Sequence, residues 1–170
     1  IILLDGSKVY YYTDDITERE TRALKEQGAD VDGMTEEEIK EIAEKKADLF
    51  DELQEEFQAK GINATVNRST GEIALDATVL FDVNESAISA DGKAFLQKFM
   101  KVYTSIVFAE KYQGFISKIM VEGHTDTSGS YELNQMLSKS RADSVKDYCL
   151  SVDCGVDAAY GATLQSMLET

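Results

Sequence analysis

Between Ile119 and Val145 the chain runs Ile-Met-Val-Glu-Gly-His-Thr-Asp126, then Thr-Ser-Gly129, then Ser-Tyr-Glu-Leu-Asn134, and on through Leu137-Ser138 and Arg141-Ala142. An apolar strand enters a turn bounded by glycines, and a helix leaves it with apolar residues at three- and four-residue spacing. Asp126 lies at the joint, where free backbone N–H groups and the helix dipole favour negative charge. Arg141 follows fifteen residues later on the helix. The spacing lets Asp126 and Arg141 face one site, and an anion and a cation held together at a strand end form a receptor for a zwitterion. Two plainer readings stand beside this one: Asp126 caps backbone amides, or Arg141 pairs with a neighbouring carboxylate such as Asp143 or Glu132, an arrangement that contributes little.

With 170 residues, 43% of them hydrophobic, the chain supports one domain with an appendage. The division expected is an acidic, mainly helical extension over 1–60 and a domain over 61–170. Seventeen basic against thirty-two acidic side chains give a net charge of −15, which repels polyphosphate and anionic lipid and excludes nucleic acid as a partner. No apolar run reaches the roughly 18 residues of a membrane span. The chain begins at Ile1, without Met, and a membrane anchor outside the fragment is the expectation. Cys149 and Cys154 are too few for a disulfide scaffold; a single bridge and a pair of unrelated thiols both fit their spacing.

In chain order, residues 1–12 read as an extended piece turning at Asp5-Gly6. Thr17-x-x-Glu20 is a capping box for a short helix ending at Gly28, and Thr35-x-x-Glu38 opens a longer helix to about Lys60. Ile39, Ile42, Leu49, Leu53 and Phe57 form one apolar stripe along it, interrupted by Lys46 and favouring packing on the neighbouring domain over a coiled-coil seam. Segments 62–67 and 72–81 flank Arg68-Ser-Thr-Gly71 as a β-hairpin. Ser89 caps a helix burying Phe95, Leu96, Phe99, Val102, Tyr103 and Ile106 on one side. A strand over 116–121 and a helix over 131–150 follow, the latter with Leu133, Met136, Leu137 and Val145 towards the core. The last piece, 162–169, reads as a weak helix. The alternation predicts an α/β fold, an α+β sandwich with helices on one sheet face.

His124 is the single histidine. His124-x-Asp126 lacks a third ligand in register, so a metal site is set aside and no cofactor is expected. No serine lies in a Gly-x-Ser-x-Gly elbow and His124 has no evident nucleophile partner, so the expectation is a protein that is not an enzyme.

The residues Val121-Glu-Gly-His-Thr-Asp126, with Gly129, Asn134, Leu137-Ser138, Arg141-Ala142 and Val145, resemble the OmpA-like (OmpA/MotB C-terminal) peptidoglycan-binding family. Thr-Asp-x-x-Gly followed by Asn-x-x-Leu-Ser-x-x-Arg-Ala-x-x-Val is long and specific, and every position is present. Val79-Leu-Phe81-Asp-Val-Asn84 with Ile88 looks like the family's first core strand and following loop, so the similarity covers about 62–150. The resemblance implies a βαβαβ-type domain with a mixed sheet and helices on one face. It also implies non-covalent binding of peptidoglycan, usually at the diaminopimelate residue of the stem peptide. Position by position, Asp126 would take the ligand ammonium and Arg141 its carboxylate. Thr125, Thr127, Asn134, Asn84 and Leu133 would line the pocket, with Phe81 as an apolar support. The implied place is the extracytoplasmic cell envelope, anchoring an envelope or membrane protein to the wall. After Cys154 the sequence departs from the family pattern, so the final strand is expected to be missing or replaced. The alternative is a MotB-like stator component of an ion-driven membrane machine, since the helix and hairpin upstream look most like MotB-type members. A further alternative is that the acidic first sixty residues form a protein-interaction or dimerisation arm, a homodimer being one outcome.

Overall fold

Thr35 starts the first long helix, α1 (Glu36–Ala59), with a complete capping box: its hydroxyl accepts from the Glu38 N–H and the Glu38 carboxylate accepts from the Thr35 N–H at 2.7 Å. The computed structural model describes residues 21, 22, 25, 32–125 and 130–170 of the chain. The extended piece expected over 1–12 and the Thr17–Glu20 capping box lie outside them. Leu49, Leu53 and Phe57 of α1 are buried. They belong to one hydrophobic cluster that runs through Ile62 and Val66 to Leu168. The stripe is therefore a packing face, and each such side chain contributes about 1.5–3 kcal/mol by leaving water. Lys46, which interrupts it, lays its ammonium 5.7 Å from the Phe50 ring centroid, and burial pulls its pKa down to about 8.

The chain turns at Gly61 into β1 (Ala64–Val66), which pairs antiparallel with β2 (Ile73–Leu75) in the register Thr65 to Ala74. Asn67 closes the hairpin turn, its side-chain oxygen accepting from the Ser69 and Thr70 N–H groups. The second strand is shorter than expected. Asp76 ends it by accepting from the Thr78 N–H at 2.8 Å, which caps a one-turn helix, α2 (Ala77–Leu80), where strand was read through Phe81. Phe81 then makes an isolated antiparallel bridge with Ile88.

Ser89 caps α3 (Ala90–Val107), accepting from the Gly92 N–H and donating to the Val79 carbonyl. Leu96, Phe99, Tyr103 and Ile106 are buried on it. Phe99 is the aromatic hub, stacked on Phe57 at 5.1 Å and on Tyr103 at 5.5 Å. β3 (Ile119–Met120) leads through residues 121–125 towards α4 (Tyr131–Leu150), whose bounds coincide with those read from the sequence. A 3-10 turn at Val152–Cys154 and α5 (Ala158–Met167) follow.

The α+β architecture is as expected; among the described residues the strands form two two-stranded sheets where one mixed sheet was read. Only Ile119–Met120 of the expected 116–121 strand pairs. Its partner is β4 (Leu168–Glu169), parallel to it, with the Val121 N–H donating to the Glu169 carbonyl at 2.8 Å. The chain's last residues thus supply a short strand where the closing one was expected to be missing or replaced. No described helix is long and apolar enough to cross a membrane.

Candidate functional site

The loop after Phe81 is pinched at its base by the Phe81–Ile88 bridge. Within it the Glu85 N–H donates to the Asp82 carbonyl at 3.1 Å, and Asn84 takes a left-handed φ of 60°, which asparagine accepts more readily than most side chains. Arg141 reaches across from α4 and fastens this turn. Its Nε–H donates to the Glu85 carbonyl at 2.9 Å and one terminal nitrogen approaches the Asp82 carbonyl at 3.5 Å. Its guanidinium lies over the Phe81 ring, a favourable cation–π arrangement.

Between this loop, α4 and the segment after β3 lies an open cleft of about 590 Å³. Asn84, Thr125, Asn134 and Arg141 line it together with Asp82, His124 and Leu137. Four residues expected at the site therefore do meet around one space. Asp126 and Thr127 lie outside the described residues. Leu133 is 65% exposed on the first turns of α4 and is not among the cleft's lining residues. The expected core face of α4 needs correction there: Leu133 and Met136 point to solvent, because the helix overhangs the core before its buried run of Ala142, Val145 and Cys149 begins.

The plainer reading of Arg141 as half of a surface ion pair with Asp143 does not hold. Asp143 is taken by Lys139 at 2.9 Å and by the Thr170 hydroxyl at 2.8 Å, and the Lys139 bond first, then Thr170, holds its carboxyl below the usual range. Among the described residues, Arg141 has no carboxylate partner. The residues that sequence reasoning missed are Asp82 and Glu85, which act through main-chain carbonyls. The only signal for them was the Asp82-Val-Asn84 turn directly after an apolar strand.

Gly123 sets how closely the 121–125 segment lies on α4. A Cβ there would run into the Ser138 carbonyl oxygen, so only glycine lets the strand end touch the helix backbone. On the far side of Arg141 the cleft backs onto an apolar cavity of about 330 Å³ between the two sheets. Among the described residues there is no group of three or more His, Cys, Asp or Glu side chains placed to hold a metal ion.

Fold and cleft together define a small α+β module built around one guanidinium held at the mouth of a polar cleft. The OmpA family model matches residues 80–160, a segment that contains the whole cleft loop and α4. Outer membrane protein A of Serratia marcescens is 37% identical over 82 residues, 48% of this chain and 21% of the relative. Outer membrane protein P5 of Haemophilus influenzae is 35% identical over 78 residues, covering 46% and 22%. The Zorya protein ZorB of Escherichia coli O139:H28 is 30% identical over 90 residues, covering 52% and 37%. The chain thus spans 21% to 37% of the length of these curated relatives.

Proposed function

We propose that the domain binds peptidoglycan without covalent chemistry, gripping a diaminopimelate-containing stem peptide, and so anchors an envelope protein to the cell wall. Arg141 takes the ligand carboxylate and Asp126 its ammonium, while Thr125, Thr127, Asn134 and Asn84 shape the pocket. The observation that carries this reading is the state of Arg141: oriented by an aromatic face and two carbonyls, without a carboxylate partner among the described residues, at the mouth of an open cleft. A cation fixed in advance loses less freedom when it binds an anion. The match of residues 80–160 to the OmpA family model, and outer membrane proteins among the relatives, support an extracytoplasmic place in the envelope.

In this reading, residues 61–170 carry the binding and 1–60 form an extension whose helical part, α1, docks on the domain. Calorimetric titration with a soluble stem peptide tests the ligand. Saturable binding to the diaminopimelate peptide, weakened when the side-chain carboxylate of that residue is amidated, is expected. Equal binding of both peptides would remove Arg141 from the proposed role.

A second reading is favoured by the similarity to the Zorya protein ZorB. Here the same domain is the wall-binding part of a MotB-like stator component. The full-length gene discriminates between the two: an upstream membrane-spanning helix bearing an acidic residue supports the stator, and an upstream β-barrel or lipid anchor supports the simple tether.

A further inference from the structure

Behind Arg141, the apolar cavity of about 330 Å³ is walled by α3, α4, β2 and β3. Protein interiors are close-packed, with few voids larger than a water molecule, so a space of this size in a 170-residue chain is not ordinary packing slack. Its inner wall is buried and apolar, with Leu96, Phe99, Met100, Ile119 and Val145 facing one another. Glu72, Glu122, His124 and Arg141 also line it, but each is half-buried or exposed and so stands where the space opens to solvent.

One residue of the inner wall breaks the pattern. Tyr103 on α3 is 6% exposed and stacked on Phe99, and its hydroxyl has no hydrogen-bond partner among the described residues. Thr104, its neighbour in the chain, shows the usual arrangement: its buried hydroxyl donates to the Met100 carbonyl at 2.7 Å. A tyrosine hydroxyl normally finds a partner when buried, and leaving one unmade is costly. Burial pushes the Tyr103 pKa up, so the group stays a neutral phenol that can donate or accept.

We infer that this cavity binds a small neutral molecule with an apolar body and one hydrogen-bonding oxygen, of the phenol, alcohol or ketone class, whose oxygen meets the Tyr103 hydroxyl. The size suits such a molecule. A dry apolar cavity of roughly 150 Å³ holds benzene, so about 330 Å³ accommodates a body of about two fused rings. The charge pattern selects a neutral one. The buried wall offers no charged side chain, and an ionised ligand would leave its hydration there without compensation. Tyr103 does not line the cleft on the other side of Arg141, so this site stands or falls separately from the binding of a stem peptide.

Fluorescence and calorimetric titrations of the full chain with 2-naphthol, naphthalene and 2-naphthoate test the assignment, with Tyr103→Phe as the variant that keeps the ring and removes only the hydroxyl. The parent should bind one 2-naphthol saturably, and 2-naphthoate at least 10-fold more weakly. Tyr103→Phe should lose about 3- to 10-fold in 2-naphthol affinity while binding naphthalene as the parent does. Without ligand its Tm should be no lower than the parent's, because the lost hydroxyl had no partner to leave behind. Absence of saturable 2-naphthol binding up to its solubility overturns the assignment. So does an unchanged 2-naphthol affinity in Tyr103→Phe, or tighter binding of 2-naphthoate than of 2-naphthol. None of these titrations contains peptidoglycan, so their failure is distinguishable from failure of stem-peptide binding.

Discussion

The guanidinium carbon of Arg141 lies 4.9 Å from the centroid of the Phe81 ring. One residue comes from the middle of α4 and the other from the strand-like segment before the cleft loop, so this contact ties the two walls of the cleft together. The aromatic face fixes the plane of the guanidinium, and the Glu85 and Asp82 carbonyls fix its rotation within that plane. The remaining N–H donors are left for the cleft. An isolated surface arginine would have to surrender that orientation on binding; here it is set during folding.

Arg141→Lys keeps the charge but loses the planar fork and the stacking. Stem-peptide affinity in the calorimetric titration should fall by about 10- to 100-fold, the range for losing a directed charge-assisted contact. The thermal midpoint should move little, because the side chain is only half-buried.

Gly123→Ala places a methyl against a backbone oxygen that cannot rotate away. The expected cost is about 1–3 kcal/mol in a urea unfolding series. Stem-peptide binding should weaken too, because the 121–125 segment must lift off α4 and carry Thr125 with it.

The apolar stripe of α1 separates two further outcomes. Phe57 is 0% exposed and stacked on Phe99, so Phe57→Ala should cost about 3–5 kcal/mol. The parent should run as a monomer in mass measurements at micromolar concentration if the stripe is spent on the domain's own core. A stable dimer abolished by the same substitution would show the stripe to be a seam between chains.

Lys46 gives a pH dependence of definite sign. Burial lowers its folded pKa to about 8 from 10.5, so folding opposes the charged form. The resulting penalty is fully present below pH 8 and fades as pH rises towards 10.5. Lys46→Met should therefore be more stable than the parent at pH 7, with the difference shrinking across that window in parallel urea titrations. Half-exposure keeps the effect modest.

The three long helices were legible in the sequence because their signals are local, whereas Ala77–Leu80 was read as strand and the last helix, Ala158–Met167, was read four residues late. Thr35 with Glu38, Ser89, and the run from Tyr131 to Leu150 each carry cap and period within a few residues. The strands were less so. Asp76 looked like one polar residue in an alternating run, yet its side chain caps the next N–H groups and ends β2 at Leu75. β3 is only as long as its partner, and that partner, Leu168–Glu169, comes only after α4 and α5 in sequence. The cleft was legible where it depends on side chains, as at Arg141, Asn134, Thr125 and Asn84. Glu85 was not, because it contributes only its main-chain carbonyl. Leu133 was misplaced for a different reason: helical spacing tells which residues share a face, not where along the helix the core stops.

Co-sedimentation with purified peptidoglycan tests the central claim most directly, using the parent chain, Asp126→Ala, Arg141→Ala and the double variant, each verified as folded by circular dichroism. The parent should pellet with the sacculi, and each single substitution should leave most of the protein in the supernatant. The double variant should be little worse than either, because both residues hold one ligand. Folded Asp126→Ala and Arg141→Ala proteins that pellet as well as the parent would contradict it.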